Sequence, residues 1–303
     1  MPDRSPFALA ALACAAVRGL QPVAAAPLDQ PDRDVDGARI TDDLGRDWLV
    51  RAPRGPAAAA RLDQEVRLLA ELTGWLPFPL PQIAGTAELP EGGDAVLHRV
   101  LPGTPLSVAA LTPEAGLTAA VGRAIAAVHG LPERLIEEAG LPVYTAQDHR
   151  QRRLAEVDRA ASTGQVPVAL LERWEKALEE PGAWRFAPCV VHGDLAEENV
   201  LVDGDDVVGL TGWGEARVAD PADDLAWLVA SCSDDVVTAV LTAYARERLD
   251  TPDPQLPRRA RLAGELAVTR WLLHGVASDD TVIVDDAVVM LRELEQDVAG
   301  NTW

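Results

Sequence analysis

Val190-Val191-His192-Gly193-Asp194-Leu195-Ala196-Glu197-Glu198-Asn199-Val200-Leu201-Val202 reads as a short apolar strand, a polar loop and a second apolar strand. The loop offers Asp194 and, five residues later, Asn199. That pair suits phosphoryl transfer. A carboxylate at the first position accepts the proton of a hydroxyl group, and an amide oxygen at the second holds magnesium.

Outward from this loop, the strand-rich stretch 189–210 interrupts a region whose periodicity is helical. Residues 117–129, 145–161 and 168–178 precede it as helices, and 234–248, 256–274 and 283–298 follow. Pro221 is a favoured first helical residue, with Asp220 placed to cap it. Upstream, Pro102-Gly103-Thr104-Pro105 reads as a linker. Before the linker the chain is mostly β. Strands 38–41 and 48–51 are joined by the hairpin connection Asp42-Asp43-Leu44-Gly45-Arg46-Asp47, and strands 83–89 and 95–101 by Pro90-Glu91-Gly92-Gly93. Between the pairs, Leu62, Val66, Leu69 and Leu72 mark one face of a helix over 57–72. Residues 22–36 form a Pro- and Asp-rich connector. The expected fold class is therefore α+β, with a small β-rich part over 1–101 and a larger helical part over 102–303.

The start of the chain has two readings. Residues 7–17 are apolar and Ala24-Ala25-Ala26 sketches a cleavage site, which outlines a signal peptide. Asp3, the shortness of the run and Arg18 directly after it favour an amphipathic first helix instead. Nowhere does an apolar run approach the ~20 residues of a membrane helix.

The formal net charge is −21, which argues against nucleic acid as a partner, because phosphate backbones are gripped by Lys and Arg. Lys176 is the only lysine, so any task usually given to lysine falls to arginine or is left undone. Cys14, Cys189 and Cys232 are odd in number and widely spaced, as expected in a reducing cytoplasm without a disulfide framework. His98, His129, His149, His192 and His274 form no close ligand pair. The signatures of P-loop and dinucleotide-binding folds are absent.

A β-rich part, a linker and a helical part carrying His192-Gly193-Asp194 and Asn199 together resemble the protein-kinase-like fold, in its aminoglycoside phosphotransferase branch. Several further stretches resemble macrolide 2′-phosphotransferases, in order along the chain: Trp48-Leu49-Val50-Arg51-Ala52-Pro53-Arg54, Leu76-Pro77-Phe78-Pro79-Leu80-Pro81, Leu101-Pro102-Gly103, Gly140-Leu141-Pro142-Val143-Tyr144 and Trp213-Gly214-Glu215-Ala216-Arg217-Val218-Ala219-Asp220-Pro221.

The resemblance implies Asp194 as catalytic base and Asn199 as a magnesium ligand, with His192 bracing the loop. It implies GTP or ATP as phosphate donor. Arg51 stands where a lysine would meet the nucleotide phosphates, and Arg54 competes for that task. Glu65 either pairs with Arg51 or is an exposed helical acid. Residues from His98 to Val100 would meet the purine through backbone groups. Trp227, Tyr244, Trp271 and His274 are candidates for the wall of an acceptor pocket, or ordinary core residues. The acids Asp220, Asp223 and Asp224 read as a cap and first-turn helix acids, or as attractors of an amino sugar's amine.

One position departs from the family. The pattern resembles Ile-Asp-Trp-Gly, yet this chain has Leu210-Thr211-Gly212-Trp213-Gly214. Gly212 lies thirteen residues after Asn199, where the second metal ligand is expected. The leading expectation is a small-molecule kinase that transfers a γ-phosphate to the 2′-hydroxyl of a macrolide amino sugar and so confers antibiotic resistance. A pseudokinase that binds nucleotide without turnover, and a kinase of aminoglycosides or other amino alcohols, are the alternatives.

Overall fold

The computed structural model describes residues 4–28, 34–250 and 253–299. In chain order its elements are α1 (Pro6–Ala16), β1 (Pro22–Pro27), β2 (Val35–Asp42), β3 (Asp47–Pro53), α2 (Pro56–Glu71), β4 (Ile83–Glu88), β5 (Asp94–Arg99) and β6 (Thr104–Pro105). Then follow α3 (Gly116–His129), α4 (Arg134–Glu138), α5 (Ala146–Ser162), α6 (Val168–Glu179), β7 (Cys189–Val191), β8 (Val200–Asp203) and β9 (Asp206–Leu210). The last are β10 (Arg217–Ala219), α7 (Ala226–Ser231), α8 (Asp234–Glu247), α9 (Leu256–Ala277) and α10 (Thr281–Val298).

Two compact units result. Among the described residues, one comprises those up to Leu106 with Glu137–Leu141 and Asn199–Gly214, and the other Ser107–Ile136, Pro142–Glu198 and those from Glu215 onward. The division is thus not a single cut after Leu101. Residues 199–214 join the first unit because β6 pairs with β8 and β8 with β9 (Thr104 opposite Val202, Val200 opposite Leu210).

The first unit is built on an antiparallel sheet in the order β1-β2-β3-β5-β4. Asp42 organises the β2–β3 hairpin. Its carboxylate accepts the N–H groups of Leu44 and Arg46, the Arg46 guanidinium and the Trp48 indole N–H. Ala38, Ile40, Trp48, Val50 and Leu97 point to one face, and α1 covers that face with Leu9, Ala10 and Ala13. Helix α1 is apolar on all sides rather than amphipathic, so its sequence carries no polar stripe to mark the outer face.

The connector expected over 22–36 is corrected in part. Pro22–Pro27 is an edge strand, with Ala24, Ala25 and Ala26 opposite Thr41, Ile40 and Arg39. Its prolines sit at the two ends of an edge, where a missing N–H is tolerated, and they disguised the strand. Residues 29–33 of that connector lie outside the described residues.

The second unit is helical, with a short β7–β10 ladder that sets Cys189 opposite Ala219 and Val191 opposite Arg217. Leu170, Trp174, Leu266, Leu272 and Leu291 centre its core. Trp174 is fully buried and its indole N–H reaches the Glu265 carboxylate at 2.9 Å. Helices α3 and α8 touch at Gly122, where a Cβ would lie 2.5 Å from the Val240 carbonyl oxygen and 2.9 Å from Ala243 Cβ. Both neighbours are packed backbone or a rigid methyl, so the helices must separate to admit one more carbon. Gly122→Ala is expected to destabilise the protein by about 1–3 kcal/mol in urea denaturation, although alanine is the better helix former.

Candidate active site

In the second unit, β7 delivers the chain into the loop that carries Asp194. His192 is fully buried. Gly193 has φ +85°, and a Cβ there would collide with the Glu215 carbonyl oxygen and the Arg217 guanidinium. Only glycine serves at this bend. The Asp194 N–H donates to His192 Nδ1 at 3.4 Å.

Asp224 holds the backbone of this loop. Its Oδ2 accepts the His192 N–H at 2.7 Å, and its Oδ1 accepts the Gly193 N–H at 2.8 Å. Oδ2 also meets His129 Nε2 at 3.1 Å, and His129 Nδ1 meets the Tyr244 hydroxyl at 3.0 Å. All of this is internal: Asp224 is 0 % exposed, Tyr244 2 % and His129 3 %. Burial works against the charged imidazole of His129, but the Cys189 sulfur, Asp224 and Tyr244 outweigh it and set its pKa well above the ordinary value. Burial likewise works against the Asp224 carboxylate, and the hydrogen bond and charge of His129 more than compensate, so its pKa is lowered.

The neighbouring acids are the cap and first-turn acids expected, and they are buried anchors as well, which removes the alternative of attractors for an amine. Asp223 lies between Arg153 and Arg217, each at 2.7 Å, and its pKa is held far below the carboxylate range. Asp220 caps the turn at Pro221–Leu225 by accepting the Ala222 N–H, and also binds Arg259 at 2.7 Å. None is placed to attract an amine from solvent.

Asp194 itself is exposed as a residue, yet protein packed around its carboxyl group desolvates it. That desolvation, followed by the charges of Glu215 and Glu198, raises its pKa to about 6 against the opposing pull of Arg270 and Arg217. A carboxylate with a pKa near neutrality is ionised at working pH and still basic enough to take a proton.

In the first unit, Arg51 Nη1 contacts both oxygens of Glu65 at 2.8 Å. Glu65 is 3 % exposed, so it is a buried partner rather than a surface acid. Arg54 is engaged elsewhere, on Asp36 at 2.8 Å. His98 is buried beside the Arg51–Glu65 pair, and its Nδ1 meets the Arg99 carbonyl at 2.8 Å. Burial is the main reason its pKa is lowered, so it is neutral at pH 7. The Val100 N–H donates to the Asp47 carbonyl at 3.0 Å, which commits that donor to the sheet edge rather than to a ligand.

Asn199 immediately precedes β8 and Gly212 follows β9. The Thr211 N–H donates to the Asn199 carbonyl at 3.0 Å, and the Thr211 hydroxyl to Asn199 Oδ1 at 3.3 Å. The buried Trp213 donates its indole N–H to the Leu210 carbonyl. Position 214 lies close to Glu65: a Cβ there would be 3.7 Å from Glu65 Oε2. The loop therefore offers a neutral amide oxygen and a hydroxyl where magnesium calls for at least one carboxylate. Among the described residues no three His, Cys, Asp or Glu side chains gather as a metal site. These residues do not fit the metal as the resemblance implied.

The four acceptor-wall candidates separate into two places. Tyr244 belongs to the buried Asp224 network, and Trp227 beside it donates its indole N–H to the Asp224 carbonyl at 3.0 Å. Trp271 is 38 % exposed, stacks on His274 with centroids 5.7 Å apart, and bonds Asp286 at 2.8 Å. Of the four, Trp271 and His274 are exposed, Trp227 is half-buried and Tyr244 is buried.

A sheet-rich part, a helical part and a loop base on a buried anchor define a phosphotransferase of the kinase-like class. Residues 31–264 match the model of the phosphotransferase enzyme family, and the chain belongs to that family. It is 34% identical over 218 residues to viomycin phosphotransferase of Streptomyces vinaceus, covering 65% of this chain and 72% of that protein. Among solved structures it is similar to the macrolide 2′-phosphotransferase MphH of Brachybacterium faecium, with TM-score 0.79 and 26% identity over 94% of this chain and 98% of that one. The GDP and kanamycin complex of APH(2")-IIia, at 20% identity and TM-score 0.81, covers 96% of this chain and 98% of that one and shares the fold. The expected α+β, kinase-like architecture is the one found, and the protein is a phosphotransferase acting on hydroxyl groups.

Proposed function

We propose that the chain phosphorylates a hydroxyl group of a macrolide antibiotic at the expense of GTP or ATP, in a reducing cytoplasm. The observation that carries this reading is Asp194, held at the mouth of a loop whose backbone Asp224 fixes from beneath. The acceptor hydroxyl gives its proton to the Asp194 carboxylate as its oxygen attacks the γ-phosphorus. The bond from that phosphorus to the β-bridging oxygen breaks, and the nucleoside diphosphate leaves. Arg51, oriented by Glu65, takes the charge of the phosphates. The macrolide assignment draws support from the similarity to MphH over nearly the whole chain. The similarity to viomycin phosphotransferase supports a different antibiotic as acceptor, so both belong in the assay.

Mass spectrometry of erythromycin, viomycin and kanamycin after incubation with the chain and either nucleotide tests the reading. Erythromycin is expected to gain one phosphoryl group, and Asp194→Asn to abolish the gain. A gain on viomycin or kanamycin alone would overturn the macrolide assignment, and no gain on any acceptor would overturn the kinase reading. That last result would favour nucleotide binding without turnover, to which the missing carboxylate at Gly212 already points.

A further inference from the structure

The loop at Gly212 is more than a metal site with one ligand deleted. Gly212 has φ +78°, and a Cβ built on it would lie 2.7 Å from Asn199 Oδ1 and 3.0 Å from both Cγ and Nδ2. The Asn199 amide therefore occupies the space in which any side chain at position 212 would begin. The Thr211 hydroxyl donates to its Oδ1 at 3.3 Å, and the Thr211 N–H holds the Asn199 main-chain carbonyl at 3.0 Å. Trp213, buried and tied to Leu210, fixes the register of the turn. A side chain at position 212 would require the Asn199 amide to turn away from this position.

We propose that this chain binds its nucleotide without a bridging magnesium ion, and that Arg51 takes over the neutralisation of phosphate charge; the inference rests on the reading of the site as a nucleotide site. Magnesium dehydrates reluctantly and is held by charged oxygens, whereas this loop presents a neutral amide and a hydroxyl hydrogen-bonded to it. A guanidinium needs no metal to bind phosphate: it offers a planar set of donors and a permanent charge. Arg51 lies in the same unit as the loop, with its partner Glu65 beside Gly214, two residues past Gly212. Glu65 orients Arg51 through a single nitrogen, Nη1, in both contacts recorded for the pair.

Calorimetric titration of the full chain with ATP and with GTP, in excess magnesium and in excess EDTA, tests this. The dissociation constants in the two buffers are expected to agree within about threefold, which is under 1 kcal/mol. Tightening by magnesium beyond that range overturns the inference while leaving the nucleotide reading intact. Absence of binding in both buffers overturns the nucleotide reading and the inference with it. Arg51→Gln is expected to weaken binding in EDTA by about tenfold or more. Unchanged affinity of a folded Arg51→Gln protein would remove Arg51 from the proposal, and circular dichroism reports whether it is folded.

Discussion

Asp194→Asn is expected to lower kcat by about 10²–10⁴-fold, the usual worth of a general base, and at the same time to make the protein more stable near neutral pH. The two effects share one cause. Desolvation and the charges of Glu215 and Glu198 set the folded pKa of Asp194 at about 6, above the 3.8 of a free carboxyl group. The fold thus disfavours the ionised form that the proposed base requires. The destabilisation is fully present above about pH 6, shrinks as pH falls through that value, and is gone below about 4. The amide removes it. Because Asp194 opens to solvent, screening reduces the gain to about 1 kcal/mol, visible as a higher urea midpoint at pH 8 than wild type and an equal one near pH 4. Wild-type kcat/KM should fall on the acid side with a midpoint near 6. Retained turnover in Asp194→Asn, or an acid limb near pH 4, would displace Asp194 from the role of base.

Asp224→Ala is expected to do the opposite, costing about 3–5 kcal/mol of stability, because it strands a buried imidazolium together with two buried N–H groups. The groups left without their acceptor are the His192 and Gly193 N–H and His129 Nε2. Asp224 contributes stability above the unfolded carboxylate pKa of about 4, lost as pH falls through its lower folded value. His129 contributes below about 6.5, lost as pH rises through its raised folded value. The substitution therefore costs most between about pH 4 and 6.5. Guanidinium denaturation at pH 5.5 reads the loss, and a value below about 1 kcal/mol would show that the loop is held by something else. Asp224→Asn retains one acceptor oxygen and should fall between the two.

These residues show how far sequence carries. Asp220 and Pro221 announce a helical start by local chemistry, and most helix starts were legible within a residue or two, whereas α9 runs three residues past its expected end to Ala277 and the short α4 was not foreseen. The link between Arg51 and Glu65 was legible as one of two readings, because a strand residue and a mid-helix acid fourteen apart can meet, but burial decided it. The anchoring task of Asp224 was not legible. Its partners lie 31, 32 and 95 residues away, and nothing local separates a buried anchor from a first-turn acid. Tyr244 read equally well as a pocket wall until its hydroxyl was seen on His129. Gly212 was visible as a substitution, while the occupation of its side-chain space by Asn199 depends on a backbone angle that no residue pattern reports.

The Arg51–Glu65 pair also governs how the protein can be detected. Nucleotide analogues that acylate or sulfonylate an amine label kinases through a lysine beside the phosphates. On the proposed reading that position is the Arg51 guanidinium, which stays protonated and is a poor nucleophile. The only lysine, Lys176, lies near the end of α6 in the other unit. If Arg51 meets the phosphates as proposed, surveys that count active kinases by amine-directed nucleotide probes are expected to pass over this chain, whereas Arg51→Lys is expected to bring it into view.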